Sequence, residues 1–162
     1  MNVNDATVLK SIIGTDEATV DDKGRILVSK KKRERLGENF VIALGQVGVV
    51  TAYPAHTWAK LEEKVIGGDD IINHGRDMFS RTIMATAEDE LKFDAQGRIV
   101  VPKKLRELGK IRKDVLLLGC GDRLEIWDAE QYAIYCEDED AYGIKRRDIL
   151  SRAYLQMTGR FQ

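Results

Sequence analysis

Two arginines carry the best-placed chemistry in the chain. Arg25 and Arg98 each follow a glycine, Gly24 and Gly97, and each lies four residues after an aspartate, Asp21 and Asp94. A guanidinium is a planar fork of donors that can engage two acceptors at once, such as O6 and N7 of a guanine. The same fork can instead close on the aspartate across the turn. Each arginine therefore has two readings, as a reader of an external ligand or as a structural partner. A basic stretch surrounds each one: Lys23, Lys30, Lys31 and Arg33 in the first case, Lys103, Lys104 and Arg106 in the second. Cations in that number can neutralise phosphates and release counterions. They can also be the solvated faces of ordinary helices, and only their duplication favours the first use.

That duplication is real. Residues 21–34 (DDKGRILVSKKKRE) and 94–107 (DAQGRIVVPKKLRE) agree at nine of fourteen positions with an offset of 73. One residue further out of register, VIALG at 41–45 lies over VLLLG at 115–119, and VVTAYP at 49–54 over RLEIWD at 123–128. Tyr53 then falls over Trp127 and Trp58 over Tyr132. A whole set of elements is repeated, which points to an internal duplication.

Charge follows the repeat. The chain has 162 residues and a net charge of −1, but segment 21–35 carries +4 and segment 94–113 carries +5, leaving about −10 on everything else. The balance is 43% apolar and 33% charged residues, as expected of a folded protein rather than a disordered one. No apolar run approaches the roughly 18 residues of a membrane span, and the opening MNVNDATVLKSIIG is too polar for a signal peptide. The expected location is the cytoplasm. Cys120 and Cys136 show no metal-ligand spacing and read as reduced structural thiols. His56 and His74 read as surface histidines.

The elements that would position the arginines read alike in both halves. A short strand leads in (Thr19 and Val20; Leu91 to Phe93), and a turn on Gly24 or Gly97 follows, where glycine tolerates positive φ. A β-branched strand leaves the turn, and Ser29 or Pro102 opens a short basic helix that stops near Gly37 or Gly109. Two strands joined by a hairpin come next, 40–44 with 48–53 and 114–118 with 123–127, then helical segments at 56–66 and 129–137. Residues 76–87 place Met78, Phe79, Ile83 and Met84 near one helical face, and 142–157 form an imperfectly amphipathic helix suited to packing on the body or a neighbouring subunit. The tyrosines and tryptophans read as core or docking residues. The resulting divisions are an N-terminal extension at 1–17, repeat 1 at 18–66, a connector at 67–90, repeat 2 at 91–137 and a helical tail at 138–162. Two such units can pair and share one barrel-like core, bringing the basic segments to related positions, a shape suited to following a DNA groove.

DDKGRILVSKKKRERL and DAQGRIVVPKKLRELG resemble the two tandem AbrB-like motifs of the MraZ family of bacterial transcriptional regulators, each marked by Asp-x-x-Gly-Arg. LLLGCGDRLEIWD is also similar to that family's second half. The likeness covers roughly 18–137. Ser29 stands where that family usually has proline, and the first 17 residues are longer than its short opening. The resemblance implies a mixed α+β fold, a swapped-hairpin, double-split β-barrel formed from both halves of one chain. It implies a homo-oligomeric ring, nucleoid association, and binding of double-stranded DNA at repeated promoter boxes in a cell-division and cell-wall gene cluster, generally with repression.

On that basis Arg25 and Arg98 are expected to read DNA, Lys23, Lys30, Lys31, Arg33, Lys103, Lys104 and Arg106 to hold phosphates, and Asp21, Gly24, Asp94 and Gly97 to shape the turns. No cofactor, metal, membrane or small-molecule substrate is expected. Catalysis is disfavoured, since the chain lacks a nucleophile paired with a base and a phosphate loop, and the acidic run at 137–140 reads as a solvated patch. The rival reading is a MazE-type antitoxin, which would bind DNA through one such motif and a toxin through its tail.

Overall fold

A computed structural model describes residues 10–67, 72–137 and 146–159. They divide into two compact units, one up to Asp128 and one from Ala129 onward.

The first unit holds repeat 1 and repeat 2 as far as Asp128. Repeat 1 supplies β1 (Ile12–Thr19), β2 (Arg25–Leu27), α1 (Lys30–Leu36), β3 (Phe40–Leu44), β4 (Val50–Tyr53) and α2 (Ala55–Ile66). Helix α3 (His74–Phe79) follows, and then β5 (Glu88–Leu91), β6 (Arg98–Val100), α4 (Lys103–Leu108), β7 (Asp114–Gly121) and β8 (Leu124–Asp128) repeat the pattern. The strands do not pair within their own repeat alone. The six-stranded antiparallel sheet runs β1-β7-β8-β4-β3-β5, and β2 pairs with β6 in a separate antiparallel ribbon. Exchanging the repeats maps β1 to β5, β3 to β7 and β4 to β8, which reverses the sheet order and leaves it unchanged. The pseudo-twofold axis therefore passes between β4 and β8 and between Ile26 and Ile99, which face each other in the ribbon. This is the mixed α+β, swapped-hairpin arrangement of two AbrB-like halves. Its described ladders end at β1 and β5.

One core serves both halves. Ile26, Val28, Leu36, Phe40, Ile42, Val50 and Ala52 pack with Ile99, Val101, Leu105, Ile111, Val115, Leu117, Leu124 and Ile126, all buried. The inward residues of the ribbon and of the sheet thus belong to the same cluster. Fully burying one such aliphatic side chain contributes about 1.5–3 kcal/mol. A second cluster (Val41, Ala43, Tyr53, Trp58 and Ile83) seats α2 and the segment after α3 on the other face of β3 and β4. Tyr53 and Trp58 are core residues as expected, with ring centroids 5.5 Å apart.

Three details differ from the sequence reading. The leading strands start earlier: β1 begins at Ile12, and Val20 makes only an isolated bridge to Ile26. Strand β5 ends at Leu91. EDEL and the GTDEA stretch of IIGTDEAT are rich in residues that disfavour strands, and cross-repeat partners hold them extended. The helix expected at 76–87 is α3 followed by a π-turn at Ser80–Met84, where the Ala85 N–H donates to the Ser80 carbonyl. That wider turn rotates the apolar face, so Ile83 is buried while Met78 stays 67% exposed. Finally, the two helix stops are unequal. Gly37 takes φ +74, whereas Gly109 has ordinary φ and the left-handed residue is Lys110. Gly109 is constrained by space instead, because a Cβ there would lie 2.7 Å from Val50 Cγ2.

The second unit contains α5 (Ala129–Glu137) and α6 (Arg146–Thr158), with Tyr132 and Tyr135 stacked in α5. Tyr154, Leu155 and Met157 of α6 are exposed. Of the tail reading, Tyr142, Ile144 and acidic residues 138–140 lie outside the described residues, as do residues 1–9 of the extension and 68–71 of the connector.

Candidate nucleic-acid interface

The two Asp-x-x-Gly-Arg turns are built identically. Asp21 Oδ1 accepts the backbone N–H groups of Lys23 and Arg25, at 2.9 and 2.8 Å, and Asp94 Oδ1 accepts those of Gln96 and Arg98, both at 2.9 Å. Backbone bonds close each loop, Gly24 N–H to Asp21 O and Gly97 N–H to Asp94 O. The glycines sit at φ +77 and +81, the left-handed region that costs other residues about 1–2 kcal/mol. The second carboxylate oxygen then takes the arginine side chain. Arg25 Nε donates to Asp21 Oδ2 at 2.5 Å and Arg98 Nε to Asp94 Oδ2 at 2.7 Å. These bonds hold both carboxyls below the ordinary carboxylate value: at Asp94 the Arg98 backbone N–H leads, while at Asp21 partial desolvation opposes the Arg25 bonds and is outweighed.

Of the two readings of each arginine, the structural pair with aspartate is present, and it engages only Nε. Among the described residues the Nη groups of Arg25 and Arg98 make no hydrogen bond to the protein, and the two side chains are 28% and 27% exposed. The aspartate thus fixes the fork while leaving its two-pronged end available. Both arginines lie on the ribbon, where Arg25 pairs with Val100 and Leu27 with Arg98. Side chains alternate along a strand. Ile26 and Ile99 point into the core, so Arg25, Leu27, Arg98 and Val100 share the opposite face.

The remaining basic residues separate into two groups. Lys23, Lys30, Lys31, Lys103 and Lys104 are exposed. Lys30 and Lys103 reach Glu34 and Glu107 at 3.9 Å, both highly exposed pairs of little energetic weight. Lysines in a first helical turn oppose the helix dipole, so helix stability does not account for them. Arg33 and Arg106 are different. Arg33 donates to its own repeat's Val28 carbonyl, and its guanidinium lies over Gly97 of the other repeat. Arg106 donates to the Val101 carbonyl and lies over Gly24. Each turn is therefore braced from behind by an arginine of the opposite half. The Val28 N–H to Gly97 O and Val101 N–H to Gly24 O bonds tie the same places together.

Lys32 went unnoticed in the sequence. It is buried and pairs with Asp16 of β1 at 2.9 Å. The Lys32 ammonium, assisted by the Ser29 hydroxyl, holds the Asp16 carboxyl below its ordinary value against partial burial. The signal was available, because Lys32 aligns with Leu105, a core position. Elsewhere, burial with help from Glu125 pushes the Cys120 thiol up to about 11. Among the described residues no helix is long and apolar enough to cross a membrane.

Comparison with known proteins shows the family. The model of the MraZ protein family, described as antitoxin-like, matches residues 12–81 and 84–149. The chain is 37% identical over 129 residues to the transcriptional regulator MraZ of Caldanaerobacter subterraneus subsp. tengcongensis, covering 80% of this chain and 89% of that protein. It is 37% identical to the protein of the same name from Clostridium acetobutylicum, covering 77% and 87% of the two chains. Against that of Lactiplantibacillus plantarum it is 39% identical, covering 74% and 83%. The duplicated turns, the cross-paired strands and these matches over most of its length place the chain in the MraZ family.

Proposed function

We propose that the protein is a sequence-specific DNA-binding transcriptional regulator that represses its own gene and neighbouring cell-division and cell-wall genes. The observation that carries this reading is the ribbon face, where two arginines are each fixed through Nε and free at Nη, related by a pseudo-twofold axis. A two-stranded antiparallel ribbon fits the major groove, and a bidentate arginine there selects guanine. Arg25 and Arg98 read bases. Lys23, Lys30, Lys31, Lys103 and Lys104 hold phosphates, which sets register and affinity without sequence preference. Arg33 and Arg106 act mainly as braces, because each already spends donors inside the fold and covers a turn glycine. Several copies in a ring, acting in the cytoplasm at the nucleoid, would present ribbons to repeated short boxes. The relatives' name, transcriptional regulator, supports the same assignment.

Footprinting on the DNA upstream of the protein's own gene tests this reading. Protection of several short repeats, with reduced output from a reporter driven by that DNA, is the expected result. Absence of protection would contradict it, and a tightly copurifying toxin chain would favour the antitoxin reading.

A further inference from the structure

Leu27 and Val100 are 58% and 52% exposed on the ribbon, although aliphatic residues in short strands of this fold otherwise point inward. They sit on the same face as the two reading arginines, Leu27 opposite Arg98 and Val100 opposite Arg25. Directly opposed residues in an antiparallel pair have Cβ atoms about 5 Å apart. Each guanidinium therefore has one aliphatic neighbour from the other half of the molecule. A second copy of this face is a poor cover for it, since each arginine's counter-charge already sits at Nε and apposing the two faces would set Nη donors against Nη donors with no acceptors between them.

The major groove offers a better match. Its floor is lined by acceptors and donors, and the only apolar group it displays is the 5-methyl of thymine. An arginine seated on guanine places its aliphatic neighbour within reach of an adjacent base. We propose that Leu27 and Val100 are specificity-determining contacts to thymine 5-methyl groups, so each half of the ribbon reads a guanine together with a nearby thymine. This inference rests on the DNA-reading role proposed for the ribbon. It makes specificity depend on both halves at once, because each arginine and its aliphatic neighbour come from different repeats.

The test uses the full-length protein and a duplex it selects from a random pool. Each thymine is replaced singly by deoxyuridine, which removes the methyl and keeps the base pair. The expected result is a loss of about fourfold in affinity at one or two positions per half-site, the worth of one buried methyl. Leu27→Ala and Val100→Ala should each abolish the distinction at one position while keeping the guanine preference. Leu27→Thr serves as a second variant that preserves strand propensity and shortens the apolar reach. The inference is overturned if selected duplexes bind tightly but ignore every methyl, or if Leu27→Ala changes the subunit number and leaves the methyl preference intact. Failure to select any sequence would overturn the DNA-reading role itself, which keeps the two failures apart.

Discussion

At the residue scale the turn glycines are constrained both by backbone conformation and by the arginine that covers each one. Gly24 has a positive φ, and a Cβ there would lie 2.8–2.9 Å from the Arg106 guanidinium. A Cβ at Gly97 would collide with Arg33. Gly24→Ala should lower stability by about 1–3 kcal/mol, combining backbone strain with displacement of the brace. Adding Arg106→Ala should cost less than the sum of the two changes, since the clash is then absent. Full additivity in denaturant titrations would show that the brace and the turn do not communicate. Lys32 offers a second check. Its repeat partner is Leu105, and a buried ion pair is often no more stabilising than a well-packed aliphatic residue. Lys32→Leu should leave stability within about 1 kcal/mol, whereas Asp16→Asn should cost about 1–3 kcal/mol by stranding a buried ammonium. The Asp16 figure is kept low because its side chain is 39% exposed.

At the element scale ionised carboxylates occur in both turns and in the contact between β1 and α1. Asp16, Asp21 and Asp94 all titrate below the ordinary value of 3.8 in the folded protein. A depressed folded value stabilises the protein at pH above the unfolded value, and the effect is lost as pH falls through the folded one. Stability should therefore hold down to about pH 5 on account of these groups and decline below pH 4. An Asp21→Asn/Asp94→Asn variant should show a shallower acid limb in thermal melts between pH 5 and 3. An unchanged limb would mean that the turns are not coupled to folding. The sheet ends are protected in their own way. Strand β5 presents Glu88, Asp89 and Glu90 with a bulge against β3, which discourages open-ended strand addition.

These elements also mark what the sequence made legible. Ile26 and Ile99, the turn glycines and both basic helices were readable because each local signal occurs twice. Strands β1 and β5 were read only at their last residues, Thr19 and Leu91, because most of the rest is polar and a distant partner makes it strand. The bracing roles of Arg33 and Arg106 were hidden for a related reason. Each acts on a glycine of the opposite repeat, a relation that spacing within one repeat does not encode. Lys32 was concealed among lysines that look alike in the sequence and differ only in burial.

At the scale of the whole molecule the shared core makes the repeats interdependent. Residues 10–67 alone would leave β1 without β7, β2 without β6 and half of the core exposed. That fragment should be unfolded or should pair with a second copy through the same pseudo-twofold contacts. A folded monomer by circular dichroism and size-exclusion chromatography would contradict the interleaved topology. The intact first unit should unfold in one cooperative step for the same reason.

In the proposed function Arg25 and Arg98 read bases while the lysines hold the backbone. This division of roles is tested most directly by titrating wild type, Arg25→Ala, Arg98→Ala and Lys31→Ala against a selected duplex and a random one over a range of salt. Each arginine variant should lose about 1–3 kcal/mol on the selected duplex and much less on the random one. Lys31→Ala should weaken both alike and flatten the salt dependence by about 0.9 in log-log slope. Arginine variants that retain wild-type discrimination between the two duplexes would contradict it.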